Sequence, residues 1–166
     1  MKNLTTKQMT VISLTAAIYA VITISLPYLS YGQIQLRLSE TMTLLVFLNP
    51  IFAPGIVLGC FIANLFSSVN PILDSIFGTL HSAVSVFFII KLSKNLFIAS
   101  LWPTAFSFII GIMIMLAIGD RWNFAAFAAI TGSVMAGQFV AVTVIGYPLF
   151  KLLMKNEKFM QLVKDV

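Results

Sequence analysis

The segment "YGQIQLRLSETMTL", Tyr31 to Leu44, places Arg37 and Glu40 three positions apart between two apolar runs. A guanidinium offers a planar fork of N–H donors, and a carboxylate accepts two parallel N–H bonds. Such a pair either closes a loop as an ion pair or faces a solute with complementary groups. Gln33, Gln35 and Arg37 alternate with Ile34, Leu36 and Leu38, so the three polar side chains share one side of an extended segment. Ser39 is then placed to cap the next helix, with Glu40 in its first turn, where the helix dipole favours a carboxylate.

Asp74, Gly78 and His81 follow at i, i+4 and i+7, on one stripe of a helix. Asp74 is either a helix cap or a ligand group, and His81 either a satisfied core histidine or a pocket wall. Asn64 and Gln138 lie in apolar runs, and a buried amide must find its partners on a neighbouring helix or on a ligand. Trp122, beside Asp120 and Arg121, reads as an interfacial anchor or a stacking face. Ala16 and Ala20, with Ala17 alongside, form a small-xxx-small pair that lets another helix approach closely, whether from this chain or from a partner. Carboxylates, amides and aromatic faces together suit a flat polar solute with several N–H donors, such as a nucleobase analogue. Ionisable groups inside apolar spans are functional hypotheses by default.

Other chemistries are poorly supported. No lysine is followed by Ser or Thr, so there is no Walker A motif, and any ATP-driven work falls to a partner. The single histidine and single cysteine argue against a nucleophilic triad or a metal centre, and no cofactor site is expected in the chain. Cys60 lies in an apolar run and reads as a packing residue.

The elements that hold these residues are apolar. Of the 166 residues, 60% are hydrophobic and 9% charged, whereas a soluble domain carries about 25% charged residues. A chain of this size cannot bury that much apolar surface in one globule, so lipid is the natural solvent. Six spans are expected, over about 9–26, 40–48, 54–66, 74–90, 98–118 and 131–150. The second and third are short and form a tight pair turned at "NPIFAPG". Gln138 then lies about seven residues, or roughly 10 Å, into the sixth. With six spans, Lys2, Lys7, Lys91, Lys94, Lys151, Lys155, Lys158 and Lys164 fall on one side, and Arg37 and Arg121 on the other. By the positive-inside rule both termini face the cytoplasm, and the net charge of +5 reflects topology rather than nucleic-acid binding. Neither a repeat nor a linker is visible, so residues 1–166 read as one all-α transmembrane domain. Residues 151–166 read as an amphipathic end at the membrane surface. The spans lack paired inverted halves, which argues against a self-sufficient secondary transporter.

The stretch "YGQIQLRLSETMTLLVFLNP" resembles the signature of the QueT family, and "APGIVLGCFIANLFS", "ILDSIFGTL" and "VIGYPLFKLL" extend the resemblance from about Thr6 to Leu153. The resemblance implies the substrate-binding (S) component of an energy-coupling factor importer in a prokaryotic cytoplasmic membrane. Such a component captures a queuosine precursor, chiefly preQ1, a 7-aminomethyl-7-deazaguanine. It is not an enzyme. It works with a transmembrane coupling subunit and two ATPase subunits that use ATP, and it tips in the membrane to release its solute. The resemblance also implies that Ala16 and Ala20 dock the coupling subunit and that residues 32–38 form a lid. Arg37, Ser39, Glu40, Asn64, Asp74 and Gly78 match the family pattern. Gln138 stands where many relatives carry glutamate, and His81 where a small residue is expected. The expected substrate-binding set is therefore Arg37, Glu40, Asn64, Asp74, His81 and Gln138. Glu40 would take the purine-like N–H edge, Arg37 the lid or an oxo group, and Asp74 an ammonium. Rival readings are an S component for a vitamin or another nucleobase, a small membrane enzyme acting on a lipid, and a helper subunit without a ligand.

Overall fold

A computed structural model describes residues 4–32, 34–67, 70–119 and 123–166. The expectations for Lys2, Gln33, Asp120, Arg121 and Trp122 lie outside those residues. Among the described residues the fold is all-helical. Helix α1 (Thr6–Ser25) opens with a capping box, in which Thr5 Oγ1 accepts from the Gln8 amide and Gln8 Oε1 from the Thr5 amide. A short α2 (Pro27–Ser30) leads through a loop to a 3-10 turn (Leu38–Thr43) and α3 (Leu44–Leu48). Asn49-Pro50 turns the chain into α4 (Ala53–Asn64). Then come α5 (Pro71–Leu92), α6 (Leu96–Ala105), α7 (Phe108–Ile118) and α8 (Phe124–Gln138). A π-helical stretch (Phe139–Gly146) joins α8 to α9 (Tyr147–Leu153), and an amphipathic α10 (Glu157–Lys164) ends the fold.

Four helical stretches are long and apolar enough to cross a membrane: Thr6–Ser25, Pro71–Leu92, Leu96–Ile118 and Phe124–Leu153. Leu38–Leu48 and Pro50–Asn64 are shorter apolar helices, as expected of the tight pair. Their turn lies beside the chain's two ends. Asn49 Nδ2 donates to the Val163 carbonyl (2.8 Å), Lys7 Nζ to that of Asp165 (2.8 Å) and Gln8 Nε2 to that of Val166 (3.3 Å). These donors satisfy carbonyls at the C-terminal end of α10 that lack intrahelical partners. The opposite end of the hairpin is tied where Tyr31 Oη donates to the Ala63 carbonyl (2.5 Å).

Several boundaries differ from the sequence expectation. The fourth span starts at Pro71, because Asn70 accepts from the Leu73 amide and caps it; Asp74 is therefore not the cap. The last long helix starts at Phe124, capped by Asn123, so Gln138 ends a 15-residue helix and lies about 21 Å from its start rather than 10 Å. The fifth span is broken at Phe106–Ser107, just after Pro103. Ser39 does not cap a helix either. Its hydroxyl lies 2.6 Å from that of Thr23 on α1, inside the bundle.

The tightest packing joins α1 to α4. A Cβ at Gly59 would stand 2.7 Å from the Ala16 carbonyl oxygen, and one at Gly55 would stand 2.6 Å from that of Ile12. Small residues on both helices thus bring the backbones together. The expectation that Ala16 and Ala20 dock a partner is corrected by this contact: they are 3% and 6% exposed, covered by the chain's own α4. The exposed residues in the middle of α1 are instead Ser13, Leu14, Ala17, Ile18 and Val21.

Candidate functional site

Glu40 sits in the first turn of the 3-10 segment and is fully buried. Its Oε1 accepts from Tyr19 Oη on α1 (2.6 Å) and from Ser82 Oγ on α5 (3.2 Å), while Oε2 has no partner. The carboxylate is thus held from two helices and turns its second oxygen to a cavity. Arg37, also buried, donates from Nε to the Ser30 carbonyl (3.1 Å), and its guanidinium lies 5.5 Å from the centre of the Tyr31 ring. Its Nη2 has no partner. Among the described residues no carboxylate forms an ion pair with Arg37, so the loop-closing Arg37–Glu40 bridge is not formed. Gln138, at the junction of α8 with the π-helical stretch, is buried with Nε2 unpartnered.

All three residues line one cavity with Gln35, His81, Ser107, Ile110 and Val134. Its volume is about 10 Å³, room for a single water at most. An unsatisfied buried polar group costs about 1–3 kcal/mol, and more when charged. The residues of this one cavity thus carry two unpartnered donors, on Arg37 and Gln138, and one unpartnered acceptor, on Glu40.

The break in the fifth span serves this site. It frees the Pro103 carbonyl, which accepts from Ser107 Oγ (3.1 Å) and bonds His81 Nε2 (2.8 Å). A carbonyl only accepts, so Nε2 carries the ring proton. His81 is thus both a satisfied core histidine and a cavity wall.

Asp74 occupies a second cavity of about 110 Å³, with Tyr31, Gln35, Met113, Ile114, Ala117 and Ile118. Its Oδ2 accepts from the Ser67 hydroxyl and from the Asn70 amide (3.4 Å). Among the described residues no cation pairs with it. Burial raises the Tyr31 phenol above its ordinary range, against the pull of Arg37, so Tyr31 stays a neutral donor.

Gln35 borders both cavities and an outer one of about 380 Å³ formed with Tyr28, Leu29, Gly32, Ile34 and Leu36. Its φ of 46° is left-handed, alone among the described non-glycine residues. Such a conformation costs on the order of 1–3 kcal/mol and persists only where surrounding structure imposes it. Gly137, next to Gln138, imposes part of it: a Cβ there would collide with the Ile34 carbonyl, so the loop lies directly on α8.

The structure thus brings Arg37, Glu40, His81 and Gln138 to one cavity and Asp74 to the next. Asn64 lines neither. Its Nδ2 donates to Cys60 Sγ (3.3 Å), its Oδ1 is unpartnered, and its amide lies so close to Gly78 that no side chain fits between them. The position a Gly78 Cβ would take is 3.6 Å from Arg37 Nη1, so Gly78 lies close to both Asn64 and the arginine. Sequence reasoning missed Tyr19, Ser82 and Ser107. One polar residue per turn on the buried side of α1 and the Ser-rich stripe of α5 were the available signals.

Comparison with known proteins bears on the kind of ligand. The sequence model of the QueT transporter family matches residues 9–155. The queuosine precursor transporter QueT of Lactococcus lactis subsp. cremoris (strain MG1363) is 35% identical over 69 residues, covering 40% of this chain and 41% of that protein. The chain is thus aligned with about two fifths of that relative's length. No solved structure matches the chain.

Proposed function

The chain belongs to the QueT transporter family, and from that premise we propose that it is the membrane subunit that captures a queuosine precursor for import. The observation that carries this reading is the convergence of the unpartnered Arg37, Glu40 and Gln138 atoms on one buried cavity. A 7-deazaguanine meets that pattern. Its N–H edge pairs with Glu40 Oε2, its oxo group takes Arg37 Nη2, and Gln138 serves a further acceptor. An aminomethyl ammonium, where the ligand has one, reaches Asp74, the nearby buried carboxylate without a cation. The two cavities are lined by two carboxylate side chains and one guanidinium, a set that suits a ligand with a cationic end.

The cavities are too small for a purine-sized ring while the loop lies closed, so the loop around Gln35 swings out before the solute enters. In this reading the chain crosses the membrane six times with both termini on the cytoplasmic side, which the distribution of the lysines supports. Import is driven by ATPase subunits through a transmembrane coupling subunit, since the chain has no nucleotide motif of its own. The coupling face lies on the exposed side of α1, around Ser13 and Ala17.

Isothermal calorimetry on the purified chain, with preQ1, preQ0, queuine and guanine in parallel, tests the substrate. Tight binding of preQ1 is expected, with guanine far weaker. Silence from all four ligands in a folded protein would remove the deazapurine reading. A preference for an uncharged analogue would make Gln138 the selector and take the ammonium role from Asp74.

A further inference from the structure

A groove of about 420 Å³ lies away from the solute site, where the two ends of the chain meet. Its walls are Val11, Leu14 and Ile18 of α1, Leu45 of α3, and Phe159 and Leu162 of α10. Thr15 also faces it, but the Thr15 hydroxyl is spent on the Val11 carbonyl (2.7 Å), so the wall offers no free polar group there. Charged groups stand at one end only, at Lys7 and Asp165.

The groove's length follows from the helix. From Lys7 to Ile18 along α1 is about 16 Å at 1.5 Å per residue, and half of a bilayer's hydrocarbon core is about 15 Å. Lys7 opens a membrane-length helix, so its ammonium lies at the boundary and the groove runs one leaflet deep. The Lys7 ammonium gives one proton to the Asp165 carbonyl and keeps two. Lys164 adjoins the mouth, between the groove residues Val163 and Asp165. The amphipathic α10 lies along the rim with its apolar face inward, as an interfacial helix does.

A molecule with one anionic end and an apolar body one leaflet long fits this shape. We propose that the groove holds an acyl chain of an anionic phospholipid, with the headgroup phosphate on Lys7. A partner helix would also bury apolar surface, but a groove whose polar groups all cluster at the membrane boundary matches an amphiphile better.

Native mass spectrometry tests this on the full chain, extracted in polymer-bounded bilayer discs and equilibrated with equal phosphatidylglycerol and phosphatidylcholine. One phosphatidylglycerol per chain should survive activation that strips other lipid. Lys7→Gln should lower the phosphatidylglycerol preference about fivefold, the effect of one basic residue at a membrane surface. Val11→Trp, which fills the groove, should abolish retention. Equal retention of both lipids, no retained lipid in the unmodified chain, or an unchanged preference in Lys7→Gln would each overturn the assignment. Lys7 is exposed, so its variant folds and is informative even if Val11→Trp does not.

Discussion

Replacing Glu40 by Gln keeps the shape of the side chain and removes its charge. Oε1 is held by Tyr19 and Ser82, and either amide atom can serve one of them, so the fold should survive. The loss falls on the ligand: a charge-assisted bond contributes about 1.5–3 kcal/mol, which is on the order of tenfold to a hundredfold in Kd. Calorimetry showing near-normal affinity would remove Glu40 from the site. Gly78→Ala acts from outside the cavity. The new methyl displaces the Asn64 amide and comes within 3.6 Å of Arg37 Nη1, so affinity should fall at least tenfold although residue 78 lines no cavity. Arg37, Glu40, His81 and Gln138 were legible in the sequence because a polar side chain in an apolar span needs a reason. Tyr19, Ser82 and Ser107 were not, because serine and tyrosine occur in such helices without one and bond to nearby backbone or neighbours. Asn64 shared the signal but lies outside both cavities, bonded to Cys60.

At the scale of elements, α1 and α4 are held together by the absence of side chains. Gly59→Val should push them apart and destabilise the fold by about 1–3 kcal/mol, the cost of overpacking a well-filled contact. A drop in the thermal midpoint is the readout, and an unchanged midpoint would mean that the helices separate freely. The same contact distinguishes two faces of α1. Ala16→Trp should lower stability and solute binding together, because it enters the α4 contact. Ala17→Trp, on the exposed face, should leave binding intact and suppress ATP-driven uptake. Survival of uptake in that variant would move the coupling surface elsewhere. Hydrophobicity made the spans visible, since 20-residue apolar runs have few alternatives in water. Their starts were harder: Asn70 and Asn123 cap helices outside the strongest apolar stretches, and the alanines of "FAAFAAI" read as weakly hydrophobic. Which face of α1 points inward could not be read, because small residues serve internal and external contacts equally well and α1 carries polar residues on its buried and exposed sides alike.

For the molecule as a whole, the proposed solute would pair the buried donors and acceptor of Arg37, Gln138 and Glu40. Solute at a hundred times its Kd should therefore raise stability by about 2.7 kcal/mol, read as an upward shift in thermal midpoint. Arg37→Met should lose that shift while keeping most of the unliganded stability, since it removes a charge that the empty protein does not pair.

The left-handed Gln35 and its loop against Gly137 have a consequence in time rather than affinity. If solute enters only after the loop around Gln35 lifts, loading is a two-step process gated by the protein. The observed rate in a stopped-flow trace should rise with solute concentration and then level off. The plateau is the opening frequency of the loop, a property of the empty chain. Gly137→Ala, which props the loop off α8, should raise that ceiling and shorten residence together. At low solute concentration the capture rate instead follows the fraction of chains already open, so such a variant would load faster there and hold its solute for less time.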